Sequence, residues 1–284
     1  MNKELDVFFG ITVVIVTHNS QASMAQTMDC LKRQTVAPNE VIIVDSGSSD
    51  TSYLDEYKGY AKVLLEKNIG FCAANNLAID ISNKENDVLL LNPDLFLPDD
   101  WMEKAISIFN SEKSVKVGAF SGPLLGYDLE AGKPSGLVDV LGIYRKWYGL
   151  WFNQGQGQPI ENVSIPDKPF EPTALCGALM LIRRKVLSQL RARWGFELDP
   201  SLFMYKDDID LSLRIKGLGW DLLVHPELWA YHCRGWAKDR NKASVWGRRI
   251  SALNEIKLAY RFRSPFIIIY MMKYFYVRYI ETGK

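Results

Sequence analysis

Over its first hundred residues the chain alternates between short β-branched runs and amphipathic stretches. ITVVIVT (11–17) has the length and residue types of a strand, and the following SMAQTMDCLKRQ places Met24, Met28 and Leu31 on one helical face. EVIIVDSGSSD repeats the strand and stops at a carboxylate and a turn. KVLLEKNIGFCAANNLAIDIS supplies strand, glycine turn and helix again, and NDVLLLNPD is an apolar strand ending at Asn-Pro-Asp. Strands that are apolar throughout and separated by helices predict an α/β fold with a largely parallel sheet covered on both faces.

Beyond Gly122 the periodicity fades into a stretch rich in Gly, Pro and aromatic residues that runs to Pro172, read as loops and short strands. Order returns with TALCGALMLIRRKVL, a small-residue turn and strand leading into a helix. DPSLFMYKDDIDLSLRIKGLGW follows, with Asp207, Asp208 and Asp210 opening a short helix closed by Gly217 and Gly219. Acids are favoured at a helix start, and Asp210 and Arg214 have the spacing of a helix-surface pair. After the strand-like DLLVHPELWAYHCRG, residues Trp246, Ile250, Leu253, Ile256 and Tyr260 form the apolar stripe of a further helix.

The polar residues at the strand ends carry the candidate chemistry. Thr17, Asp45, Asn68 and Asp94 fall at the carboxyl ends of predicted strands and gather along one sheet edge, where open α/β sheets bind ligands. Asp45, Asp94 and the Asp207/Asp208 pair come from three separate strand or loop ends, and carboxylates there are costly if buried without partners. Their convergence suggests Mg²⁺ or Mn²⁺, whose shell a diphosphate and water would complete. Neither the Gly-x-Gly-x-x-Gly turn nor a Gly-x-x-x-x-Gly-Lys-Ser/Thr loop is present, so the phosphates would rely on the metal.

Charge narrows the partners. The chain carries 34 Lys and Arg against 33 Asp and Glu, a net +1, which gives no global attraction to nucleic acid. The balance is uneven: residues 236–284 hold 11 basic and 3 acidic side chains, leaving 23 and 30 in the rest. An acidic body therefore carries a basic tail. Cys30, Cys72, Cys176 and Cys233 are too scattered for a zinc or redox motif and read as buried thiols. The amino-terminal stretch does not read as a secretory signal, so the cytosol is the expected compartment.

In order and rough spacing, ITVVIVTHNS, EVIIVDSGSSD, KNIGFCAANN, LLLNPDLFLPDDW, TALCGALMLIRR, DPSLFMYKDDIDLSLR and HCRGW resemble the family 2 nucleotide-sugar glycosyltransferases, with the bacterial rhamnosyltransferase-like branch nearest. The resemblance covers about residues 10–262. It implies a GT-A fold over residues 1–264, with a nucleotide-sugar half (10–121) and an acceptor half (122–264), and transfer with inversion at the anomeric carbon. It places Thr17 and Asp45 at the base and ribose, and Asn68, Gly70 and Asn75 beside the nucleotide. Asn92 is a phosphate or ribose contact and Asp94 the metal ligand, Asn92 standing where the family has its first acidic residue. Asp208 matches the catalytic base, with Asp207 in place of a glutamate beside it. His232 assists at the metal, and Arg234 neutralises the diphosphate. Rhamnose from a dTDP or UDP donor, passed to a hydroxyl of a glycan or lipid-linked acceptor, is the first expectation. A non-catalytic nucleotide-sugar or glycan-binding module is the alternative, and a sugar-1-phosphate nucleotidyltransferase a more distant one, lacking its usual glycine-rich loop.

PFIIIYMMKYFYVRYI (265–280) is apolar and aromatic with two interior cations. At 16 residues it falls short of the roughly 20 needed to span a bilayer. It is expected to form a C-terminal helical extension (265–284) that docks at a membrane interface, with basic residues from Arg248 onward against anionic headgroups. Core packing or homo-oligomer formation stays open for the same segment.

Overall fold

The computed structural model describes residues 10–111, 115–233 and 244–281. Strands β1 (Ile11–Thr17), β2 (Glu40–Ser46), β3 (Lys62–Glu66) and β4 (Asp87–Leu91) pair in parallel in the order β3-β2-β1-β4. β11 (Leu179–Ile182) pairs antiparallel with β4 and with β6 (Val117–Ser121), and β12 (Asp221–Val224) joins β6 in parallel to complete seven strands. Every residue of β1 is buried, as its nearly continuous apolar run requires of a central strand. β3 lies at the sheet edge and exposes Lys62 and Glu66, charges that discourage further pairing.

Helices α1 (Gln21–Lys32), α2 (Phe71–Ile81), α3 (Trp101–Asn110), α4 (Arg184–Trp194) and α5 (Asp207–Gly217) flank the sheet. In α1 the predicted face is the buried one: Met24, Met28 and Leu31 are each at most 1% exposed. The sheet is mixed and largely parallel, as the α/β alternation predicts.

The Gly- and aromatic-rich stretch forms loops and short strands, as its pattern predicts. β7 (Leu124–Asp128) and β8 (Lys133–Val140) join β5 (Leu95–Phe96) and β13 (Ala230–His232) in a second sheet, ordered β5-β13-β7-β8. β9 (Ile143–Arg145) and β10 (Trp151–Asn153) form a hairpin. Two long helices close the chain, α6 (Val245–Arg261) and α7 (Ile267–Phe275), the latter running on as a π-helical turn at Tyr276–Ile280.

In α6 the apolar stripe is not the buried side. Trp246 and Tyr260 are exposed, while Ala252, Asn254, Glu255, Leu258 and Ala259 are buried. Small and polar residues face inward because this side meets polar backbone and lysines of neighbouring segments. Asp210 and Arg214 do pair at i and i+4, at 2.7 Å, but inside the protein, where Arg261 of α6 also holds Asp210. Cys30, Cys72 and Cys176 are buried free thiols, and Cys233 is half-buried.

Candidate active site

The strand order fixes where a ligand can bind. From β1 the chain runs to β2 and β3 on one side of the sheet, and β4 returns to the other, so β1 and β4 diverge at their carboxyl ends. A cavity of about 300 Å³ opens there, between Val16 at the end of β1 with Asn19 and Ser20 after it, and Asn92, Pro93 and Asp94 after β4. A second cavity of about 460 Å³ shares Phe71, Asn92 and Asp94 with it and extends to Gly177, Asp207, Asp208 and His232. The two form one cleft along the predicted sheet edge. Its far wall is the β9–β10 hairpin, through Ile143, Trp151, Phe152 and Asn153.

Asp94 and His232 meet in this cleft. The His232 Nε2 lies 3.3 Å from Asp94 Oδ1, and its Nδ1 lies 2.6 Å from Asp139 Oδ2. Burial works against the charged imidazole, but the hydrogen bonds to Asp139 and Asp94 outweigh it and raise the histidine to about 9. In the protonated ring both nitrogens donate, one to each carboxylate. Asp139, in the interior of β8 and fully buried, is absent from the sequence reading. A carboxylate inside the apolar run Leu137-Val138-Asp139-Val140 was the available signal, since such a charge demands a partner.

The acidic cluster sits on α5, whose first turn is preceded by an unusual backbone. Phe203, Tyr205 and Lys206 all have positive φ, a conformation non-glycine residues seldom adopt. Two neighbours hold them there. Asn254 of α6 directs its Nδ2 at the carbonyls of Leu202, Met204 and Tyr205, at 2.8, 3.0 and 2.9 Å. Gly70, itself at φ +83°, leaves room for the Phe203 ring, which a Cβ there would approach to 2.4 Å. Glu255 of α6, almost wholly buried, pairs with Lys206 at 3.2 Å and with Lys273 of α7 at 2.7 Å.

Asp208 is half-buried in the cleft wall; its Oδ1 accepts from Ile209 N at 2.9 Å and its Oδ2 faces Gly177 N at 3.4 Å. Asp207 is buried beside it. Burial and then the charge of Asp208 push Asp207 up to about 8. Of the two neighbouring acids, Asp207 is thus the one whose charged form is disfavoured, by its deeper burial and by the charge of Asp208.

Thr17, Asp45, Asn68 and Asn75, also sequence candidates, have their side chains already engaged. Thr17 and Asp45 are register partners at the ends of β1 and β2. Thr17 Oγ1 bonds Tyr53 OH at 2.8 Å, and Asp45 accepts from Gly47 N and Ser48 N at 3.1 and 2.8 Å and from the Ser48 hydroxyl. Neither lines the cleft. Asn68 accepts from Gly70 N at 3.3 Å and shapes the turn into α2, while Asn75 is buried and donates to Phe71 O at 2.9 Å. Asn92 does line the cleft, its N–H donating to Ala178 O at 2.9 Å. Arg234 lies outside the described residues.

A divalent cation can be tested against these residues. Among the described residues no three His, Cys, Asp or Glu side chains converge as a complete metal site. Once a cation displaces the Nε2 proton of His232, Asp94 and His232 suit two positions of one shell: their 3.3 Å separation is near the ~3 Å edge of an octahedron with ~2.1 Å bonds. Asp139 on the far nitrogen supplies the outer carboxylate that orients ligating histidines. The pair fits a cation that takes its remaining ligands from phosphate and water.

Comparison with known proteins agrees with the fold and the family resemblance. Residues 12–131 match the family described as Glycosyl transferase family 2. The N-acetylglucosaminyl-diphospho-decaprenol L-rhamnosyltransferase of Mycobacterium tuberculosis is 26% identical over 262 residues, 82% of this chain and 79% of that protein. An uncharacterized glycosyltransferase of Bacillus subtilis, YwdF, is 34% identical over 91 residues, 31% of this chain and 34% of its own length. Among solved structures, GalNAc-T7 with UDP, GalNAc and Mn²⁺ superposes with a TM-score of 0.59 at 19% identity over 91% of this chain. This chain spans about half of that one, 51%. The fold is of the GT-A type.

Proposed function

We propose that the chain is a metal-assisted, inverting glycosyltransferase that moves a sugar from a nucleoside-diphosphate donor to an acceptor hydroxyl. The observation carrying this reading is the continuous cleft, which puts the Asp94–His232 pair and the Asp207–Asp208 pair on one cavity at the divergence of β1 and β4. The donor's nucleotide end fits the β1/β4 part of the cleft, and the acceptor the part walled by Trp151 and Phe152. A cation held by Asp94 and His232 would neutralise the departing diphosphate. Asp208 takes the proton of the acceptor hydroxyl as its oxygen bonds to the anomeric carbon, while the bond from that carbon to the diphosphate oxygen breaks and the electron pair leaves with the diphosphate. Attack opposite the leaving group inverts the configuration. Asp207 is the member of the pair whose charged form is disfavoured, which leaves Asp208 as the ionised one.

The similarity to the mycobacterial rhamnosyltransferase over most of both chains supports rhamnose as the sugar and a polyprenyl-diphosphate-linked acceptor; a dTDP or UDP donor is our proposal from the sequence resemblance. Thr17, Asp45, Asn68, Gly70 and Asn75 then shape the nucleotide edge, most of them by holding its turns, with Asn92 nearest the phosphates.

Calorimetric titration of dTDP, UDP and GDP, with and without Mn²⁺, tests the donor site. We expect metal-dependent binding of a pyrimidine nucleotide that is lost in Asp94→Ala. A folded sample that binds none of the three would overturn the assignment and favour a glycan-binding role.

A further inference from the structure

The C-terminal helix is amphipathic in the inverted sense, its apolar side turned to solvent. Tyr270 and Val277 point inward, Tyr270 OH donating to Gly149 O in the β9–β10 turn, and Lys273 is drawn in by Glu255. The opposite stripe, Ile268, Met271, Met272 and Phe275, is 55–67% exposed and has no polar member. Spacings of three and four residues put these side chains on one line. The hairpin seated on the start of α7 turns at Trp147, which is 88% exposed. Among the described residues no helix is long and apolar enough to cross a membrane.

Charge chooses among the occupants of such a face. Residues 244–281 carry seven Lys and Arg against two Glu; both acids are engaged, Glu255 by Lys206 and Lys273 and Glu281 by Arg248, and Arg261 is engaged by Asp199 and Asp210 from outside the segment. Arg263 and Arg278, at the two ends of α7, are exposed. Joining two copies of this chain through the face would bring these cations together, whereas an anionic surface neutralises them.

We propose that the exposed stripe of α7, with its flanking arginines, docks the protein on the surface of an anionic lipid bilayer without crossing it. The stripe enters the boundary between headgroups and acyl chains, and the arginines face the phosphates. The β9–β10 hairpin joins this face to the cleft, since its turn rests on α7 and its Trp151 and Phe152 line the far wall. Docking would therefore bring the acceptor side of the cleft to the membrane. The docking itself stands independently of which sugar is transferred.

Sedimentation of the full chain with vesicles of phosphatidylcholine alone, or mixed with phosphatidylglycerol, tests the proposal at low and high salt. Wild type should bind the mixed vesicles, more weakly as salt rises. Ile268→Ser/Phe275→Ser should lower the partition coefficient at least about tenfold while melting like wild type. Arg278→Glu should weaken binding to the anionic vesicles only. Absence of binding by folded wild type, or equal binding by the double variant, would overturn it. So would a wild-type dimer in light scattering that the double variant abolishes, which would assign the face to a second copy.

Discussion

At the residue scale the site depends on neighbours that set protonation and orientation. Asp207 has an ordinary carboxyl value of 3.8 when unfolded and about 8 when folded, raised by burial and then by Asp208. Between those two values the unfolded chain releases this proton and the folded chain retains it, so folding loses stability as pH rises from about 4 to about 8. Asp207→Asn removes that term. The variant should melt above wild type at pH 8 and near it at pH 4, by ~2–4 °C for each kcal/mol recovered. A gap between the two proteins that does not widen across this range would show that Asp207 titrates normally. Asp139 and His232 make the complementary case, two buried groups 2.6 Å apart, the imidazole shared between Asp139 and Asp94. The sequence offered His232 through its motif, but Asp139 sits 93 positions away in a strand with weak periodicity, and only the sheet order β13-β7-β8 brings them together.

At the element scale the unusual feature is the segment before α5, where three non-glycine residues hold positive φ between α2 and α6. Gly70→Ala would set a Cβ against the Phe203 ring and force a left-handed conformation on alanine. We expect a loss of about 1–3 kcal/mol in urea unfolding, together with reduced transfer because Phe203 leads into the acidic pair. Unchanged stability would mean that the loop relaxes freely. The strands and their order of apolar runs were legible in the sequence because period and burial agree in β1, β2 and β4. The face of α6 was not, because its inward side is chosen by hydrogen-bonding demand: Asn254 and Glu255 answer three carbonyls and two lysines that the chain alone does not place beside them. The engagements of Asp45 and Asn68 within their own turns were likewise hidden, since Asp-Ser-Gly-Ser and Asn-Ile-Gly suit a ligand contact and a turn equally well.

At the scale of the whole molecule, the sheet supplies a cleft, the second sheet supplies Asp139 and His232, and the C-terminal helices brace the loop that carries the acidic pair. The uneven charge read from the sequence falls partly on α6 and α7, which lie within the basic tail and beside the β9–β10 hairpin. Asp208 is the proposed base of an inverting transfer. The most direct measurement is transfer from dTDP-rhamnose and UDP-sugars to a polyprenyl-diphosphate-linked N-acetylglucosamine, with the product's anomeric configuration read by NMR, for wild type and Asp208→Asn. We predict an inverted product from wild type and a rate lower by about 10²–10⁴-fold in the variant, with nucleotide affinity unchanged. A variant as fast as wild type, or a product of retained configuration, would contradict it.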